Sequence, residues 1–113
     1  MEGYVLNDKI ELQKPAREFA GWMMLRMLYA VRPGRVSQAV ILRVLQNLDF
    51  DCEPGDVRQT IDYMRSVGLA EAGQNAMKEW WARLTVLGVA VVEYTAQAPS
   101  GIGRPKRWRG SKR

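Results

Sequence analysis

Apolar residues recur along this chain in three helical stripes, one alternating stretch and a last short run. Phe19, Trp22, Met23, Met27, Ala30 and Val31 fall mostly at intervals of three and four, the spacing that gathers side chains on one face of an α-helix. Pro15 suits a first turn, where its missing N–H costs nothing. Arg32-Pro33-Gly34 closes the segment, because proline cannot continue a helix and glycine turns the chain. Met24, Leu25, Leu28 and Tyr29 occupy the other faces. A helix apolar on most sides either sits centrally in a small core or packs on a second subunit, so a homodimer through this helix is one expectation.

A second helix starts at Ser37, whose hydroxyl can accept from an unpaired first-turn N–H. Val40, Ile41, Val44, Leu45 and Leu48 form its apolar stripe. "DFDCEPG", from Asp49 to Gly55, is polar and turn-rich. Glu53 and Pro54 then open a third helix, with Asp56 in the first turn, where negative charge suits the helix dipole. Val57, Ile61, Met64 and Val67 face inward; Arg58, Gln59, Asp62 and Arg65 face outward. Gly68 stands where a residue leaves a helix in left-handed conformation.

After Gly68 the period changes from helical to alternating. "LAEAGQNAMKEWWARLT" holds two short alternating runs around a Gly-Gln-Asn break, a hairpin signal. If Leu84 faces the core, the two-residue period puts Ala82, Trp80 and Lys78 on its side. Glu79, Trp81 and Arg83 then point the other way. Trp80 in this register fills the core or serves as an interface anchor, and Trp81 covers the base of the hairpin or does the same. Thr85 can cap a final helix carrying Leu87, Val89 or Ala90, Val91 and Tyr94, which Ala98-Pro99-Ser100-Gly101 ends. The expected fold class is mainly α with a small β-hairpin, in the order helix, helix, helix, hairpin, helix. At 113 residues it is one domain: an N-terminal arm at 1–13, a globular unit at 14–97 and a basic tail at 98–113.

That order is similar to the winged helix-turn-helix, with the second and third helices as its two halves and the hairpin as the wing. "VRQTIDYMRSVGLAEA" resembles a recognition helix running directly into the first wing strand. "RLTVLGVAVVE" is similar to the Leu-Thr-x-x-Gly turn by which such domains re-enter a helix. With the trailing "GIGRPKRW", the chain resembles a family of small winged-helix proteins of Mu-like phages and prophages, over about residues 37–107. The resemblance to that family implies the fold and no function; a DNA-binding regulator is what the winged-helix fold suggests by analogy. It leaves residues 1–13 and the last "KRWRGSKR" unassigned.

Charge adds a location. The chain carries 17 Lys+Arg and 12 Asp+Glu, net +5. From Met1 to Gln97 there are 11 basic and 12 acidic residues, so that part is nearly neutral. The whole excess lies in Arg104, Lys106, Arg107, Arg109, Lys112 and Arg113, with no acid among them. Such segregation points to a polyanion or to a solvated, solubilising end.

Catalytic chemistry finds little to use. There is no histidine, which removes the commonest general base and metal ligand. One cysteine, Cys52, builds neither a disulfide framework nor a zinc site and fits a reducing compartment. No glycine run forms a phosphate loop with its lysine and hydroxyl residue. Neither a signal segment nor a membrane span is visible, and no pocket pattern points to a small-molecule ligand. The expectation is a cytoplasmic, non-enzymatic binding protein without cofactor or metal.

Two binding functions remain. In the first the partner is duplex DNA. Arg58, Gln59, Asp62 and Arg65 of the third helix would enter the major groove, since arginine matches guanine and glutamine matches adenine by paired hydrogen bonds. Lys78, Trp81 and Arg83 would contact it from the wing, and Arg104, Lys106, Arg107 and Arg109 from the tail. In the second the domain binds a protein. The third helix carries Asp56 and Asp62 against Arg58 and Arg65, a zero balance, and Trp80, Trp81, Tyr63 and Tyr29 are interface-type anchors. Arg58 and Arg65 are then simply solvated charges beside acids.

Overall fold

The structure, a computed structural model, describes residues 2–107, with side-chain surroundings from residue 13 onward. Seven elements follow one another: α1 (Glu2–Val31), β1 (Val36–Ser37), α2 (Gln38–Asn47), α3 (Pro54–Ser66), β2 (Ala70–Gln74), β3 (Trp80–Leu84) and α4 (Val86–Val92). The strands form one antiparallel sheet in the order β1-β3-β2. This is the winged helix-turn-helix, with α2 and α3 as its two halves and β2–β3 as the ribbon.

Three of the helices, α2, α3 and α4, start as their sequence indicates. The Ser37 hydroxyl accepts from the N–H of Val40 at 3.2 Å. At α3 the Asp56 carboxylate accepts from the N–H of Glu53 at 2.8 Å, and Pro54 takes the first turn. Thr85 accepts from the N–H of Gly88 at 3.0 Å and donates to the carbonyl of Gly68 at 2.6 Å. One threonine thus caps α4 and ties it to the end of α3. Gly68 has a φ of 82°, the left-handed geometry that lets the chain leave α3 and enter β2.

The core is built from the inward faces. Trp22, Met24, Leu25 and Leu28 of α1 are buried, with Ile41 and Leu45 of α2, Val57, Ile61 and Met64 of α3, and Ala82 and Leu84 of β3. Of the two readings of the apolar first helix, central packing accounts for its 22–28 stretch. The α2 stripe is narrower than expected: Val40 and Leu48 are exposed. A ten-residue helix needs only Ile41 and Leu45 fully inside, half-burying Val44.

Four expectations are corrected. First, α1 begins at Glu2, so the stretch expected as an arm is helical, and Pro15 lies inside the helix. Residues 1–13 lack a clear period, which left propensity without a pattern to support it. Second, the hairpin is the larger part of a three-stranded sheet. Val36 pairs with Ala82 and Ser37 with Trp81, a strand of two residues being too short to show alternation. Third, α4 stops at Val92 rather than reaching Ala98. Fourth, the segment expected to open a free basic tail packs back on the domain. Ile102 is buried, Gly101 N–H donates to the Tyr63 hydroxyl at 3.0 Å, and Gly103 N–H donates to the Glu18 carbonyl at 2.8 Å. A Cβ at position 103 would come within 2.9 Å of the α1 backbone at Glu18 and Phe19. This strap crosses from α3 over α1 to Tyr94, whose hydroxyl donates to the Pro105 carbonyl at 2.6 Å.

Candidate nucleic-acid interface

The sequence-predicted residues of α3 share a surface but not a condition. With Val57, Ile61 and Met64 inward, the 100° step places Gln59, Asp62 and Ser66 along the outermost ridge. Arg58 and Arg65 lie on one flank of that ridge; Thr60 and Tyr63 lie on the other, where the strap packs. Arg58 is committed within the protein. Its Nε donates to Asp62 at 3.3 Å, and its guanidinium sits 3.5 Å from the centroid of the Trp80 ring. Gln59 and Arg65 are exposed.

Trp80 is therefore half-buried and pinned under Arg58, outside the buried core. Its neighbour Trp81 takes the opposite side of β3. There it lies across Gly73, where an added Cβ would meet the indole at 2.8 Å. Arg35 stands 4.5 Å and Arg83 5.6 Å from its ring. Arg83 is drawn to the adjacent strand, where Nε and Nη2 both donate to Oε1 of Glu71, at 3.1 and 2.6 Å. Lys78 is exposed in the loop joining β2 to β3. The Asn75 side-chain oxygen shapes that loop by accepting from the N–H groups of Met77 and Glu79.

Of the tail residues, Arg104 is not available as expected. Its Nη1 donates to the carbonyls of Val91 and Ala96, both at 2.8 Å, and its guanidinium lies over Tyr94. One guanidinium thus bridges a carbonyl in the last turn of α4, at Val91, and one in the segment that follows it, at Ala96. Lys106 and Arg107 are exposed; Arg109 lies outside the described residues.

An open cleft of about 490 Å³ lies on the flank of α3 away from Arg58, between α1, Phe50 and Cys52, with Val57 and Thr60 on its α3 wall. Burial, reinforced by Asp56, Asp51 and Glu53, pushes the Cys52 thiol above its ordinary pKa, which keeps it protonated and unreactive at neutral pH. No group of three or more potential metal-ligating side chains occurs among the described residues. None of the described helices is long and apolar enough to cross a membrane.

Sequence reasoning missed Arg35 because it sits in no periodic segment. Its place beside Trp81 is set by the β1–β3 pairing, and only the flanking Pro-Gly turn hinted at a chain reversal there.

Among known proteins, the architecture has a counterpart in the crystal structure of MepR, a transcription regulator of the Staphylococcus aureus multidrug efflux pump MepA. The two superpose with a TM-score of 0.57 at 17% sequence identity, over 84% of this chain and 73% of MepR. That degree of likeness concerns the fold. No family model matches this sequence, and no curated protein matches it.

Proposed function

We propose that the protein is a winged-helix, DNA-binding transcriptional regulator of bacterial or phage origin, acting in the cytoplasm without catalysis. The observation that carries this reading is the placement of α3. It is packed through Val57, Ile61 and Met64 and keeps Gln59 and Arg65 exposed, in a fold shared with a solved transcription regulator. Gln59 and Arg65 are of the types that read base edges, and Lys78, Lys106 and Arg107 add exposed charge for the phosphate backbone.

Homodimerisation belongs to the same proposal. Residues 13–17 of α1 are all exposed, and Phe19, Ala30 and Val31 remain uncovered by the chain's own core. Fluorescence anisotropy on random and selected duplexes over a range of salt tests DNA binding, and sedimentation equilibrium tests the dimer. A protein that stays unbound at low salt, or monomeric at high concentration, removes the corresponding half of the reading.

A protein partner is the second reading. It is favoured by the outer ridge of α3, which carries Gln59, Asp62 and Ser66 and no free cation, and by the exposed Val40, Leu48, Val86 and Leu87. The same anisotropy experiment separates the two, since a protein-binding module gives no duplex signal at any salt.

A further inference from the structure

The sheet face turned away from the helices holds a group that the proposed α3 and ribbon-loop contacts do not use. Strand register puts two rows on it. Ser37, Trp81 and Gly73 stand side by side in one row; Arg83 and Glu71 form the next. Continuing the β1–β3 register by one residue sets Arg35 beside Arg83. Trp81 has only a serine and a glycine as cross-strand neighbours, so nothing bulky on those strands roofs its ring. Over that ring the Arg35 guanidinium is held at 4.5 Å.

The two arginines differ in what is left to them. Arg83 gives two donors to Glu71. Among the described residues Arg35 takes part in no ion pair. Arg35 is exposed, while the ring beneath it restricts its rotation. A guanidinium already stacked on an aromatic plane loses less freedom when its fork meets an oxyanion. The row carries two positive charges and one negative, so the uncompensated charge is that of Arg35.

We propose that Arg35, stacked on Trp81, is a phosphate-binding site, and that the nucleic-acid backbone rests on this outer sheet face. This builds on the DNA-binding reading above and shifts the principal wing contact from Arg83 to Arg35. A phosphate fits because a planar guanidinium presents two parallel donors to two of its oxygens. The other side of the same strand meets α3, where Trp80 carries Arg58, so β3 joins the phosphate site to the helix proposed to read bases.

The test uses the full-length chain, titrated separately with random-sequence duplex and with inorganic pyrophosphate. Binding is followed at the indole N–H of Trp81 by NMR, assigned through W81F. The expected result is that both ligands shift this resonance. Arg35→Ala removes the pyrophosphate shift and weakens duplex binding about tenfold, the size of one charge-assisted contact. Its log–log salt slope becomes shallower by about 0.9. Glu71→Gln, which releases Arg83, tightens duplex binding, and Arg83→Ala weakens it less than Arg35→Ala. Unchanged thermal unfolding of Arg35→Ala shows that the loss is not one of folding. If duplex binds but Arg35→Ala equals wild type in affinity and slope, the site is overturned and the DNA reading stands. If pyrophosphate moves Trp81 in an Arg35-dependent way but duplex does not bind, the anion site stands and the DNA reading falls. No response to either ligand overturns both.

Discussion

Arg58 and Arg65 stand two turns apart on α3, and their surroundings give them different work. Both were legible as outward positions from the period of Val57, Ile61 and Met64. A pairing of Arg58 with Asp62, one turn on, was legible too; that Trp80 would lie under its guanidinium was not, because Trp80 reaches it from a strand more than twenty residues later. Arg58→Ala should therefore lower stability by about 1 kcal/mol, from a partly exposed ion pair and a cation–π contact, visible as an earlier urea midpoint. Arg65→Ala should leave the midpoint within about 0.5 kcal/mol of wild type and cost about 1–3 kcal/mol in binding a selected duplex. Tyr29 gives a pH test. Its hydroxyl donates to Glu93 at 2.6 Å, and that hydrogen bond, then partial desolvation, raises its pKa above 10.0. The folded state thus favours the protonated phenol. The bond's contribution is whole below pH 10 and is lost as pH climbs through the folded value. Unfolding titrations between pH 9 and 12 should show a steeper loss of stability in wild type than in Tyr29→Phe.

At the scale of elements, what was local in sequence was readable and what was remote was not. The caps Ser37 and Thr85, and Asp56 in the first turn of α3, act within one turn of their own positions, so residue type and spacing announced the two caps and placed the acid at its helix start. The inward register of Ala82 and Leu84 followed from alternation in the same way. By contrast β1, the strap and the helical stretch before Pro15 depend on partners or on a continuity that no short window contains. Ile102 is an isolated isoleucine between glycines, and its burial against Gly21 exists only because the strap is brought back over α1. Ile102→Ala should destabilise the fold by about 2–4 kcal/mol, seen as a clear drop in melting temperature. Thr85→Ala should cost about 1–2 kcal/mol, since it removes a cap and the bond to the Gly68 carbonyl. Far-UV circular dichroism during thermal unfolding measures both.

For the whole molecule, the distribution of charge is the quantity on which the proposed phosphate contact depends. The sequence placed the full positive excess after Gln97, but the fold retires Arg104 from it and anchors the chain as far as Pro105. A cut after Gln97 would thus remove core packing together with charge. A cut after Arg107 spares the strap and removes residues 108–113, among which the basic residues are Arg109, Lys112 and Arg113. If those residues meet phosphates, the slope of log affinity against log salt should become shallower by up to about 2.7, at roughly 0.9 per contact. Anisotropy at four or five salt concentrations, with melting temperature as the folding control, measures it. A slope identical to wild type would leave α3 and the sheet face as the sources of affinity.

By itself the sequence determined the order of the four helices and the ribbon, the inward face of α3, the caps of α2 and α4 and the fold class, because periodicity and capping are properties of neighbours along the chain. The buried side of α1, where of the expected stripe only Trp22 is inside, was not among them. Tertiary structure alone decided which arginines remain free. Arg58, Arg83 and Arg104 look alike in sequence, yet each is taken by a carboxylate, a ring or a carbonyl that folding brings from elsewhere. Arg35 gains its place beside Trp81 by the same route. A charge's availability depends on three-dimensional neighbours, and those are fixed only when the core closes.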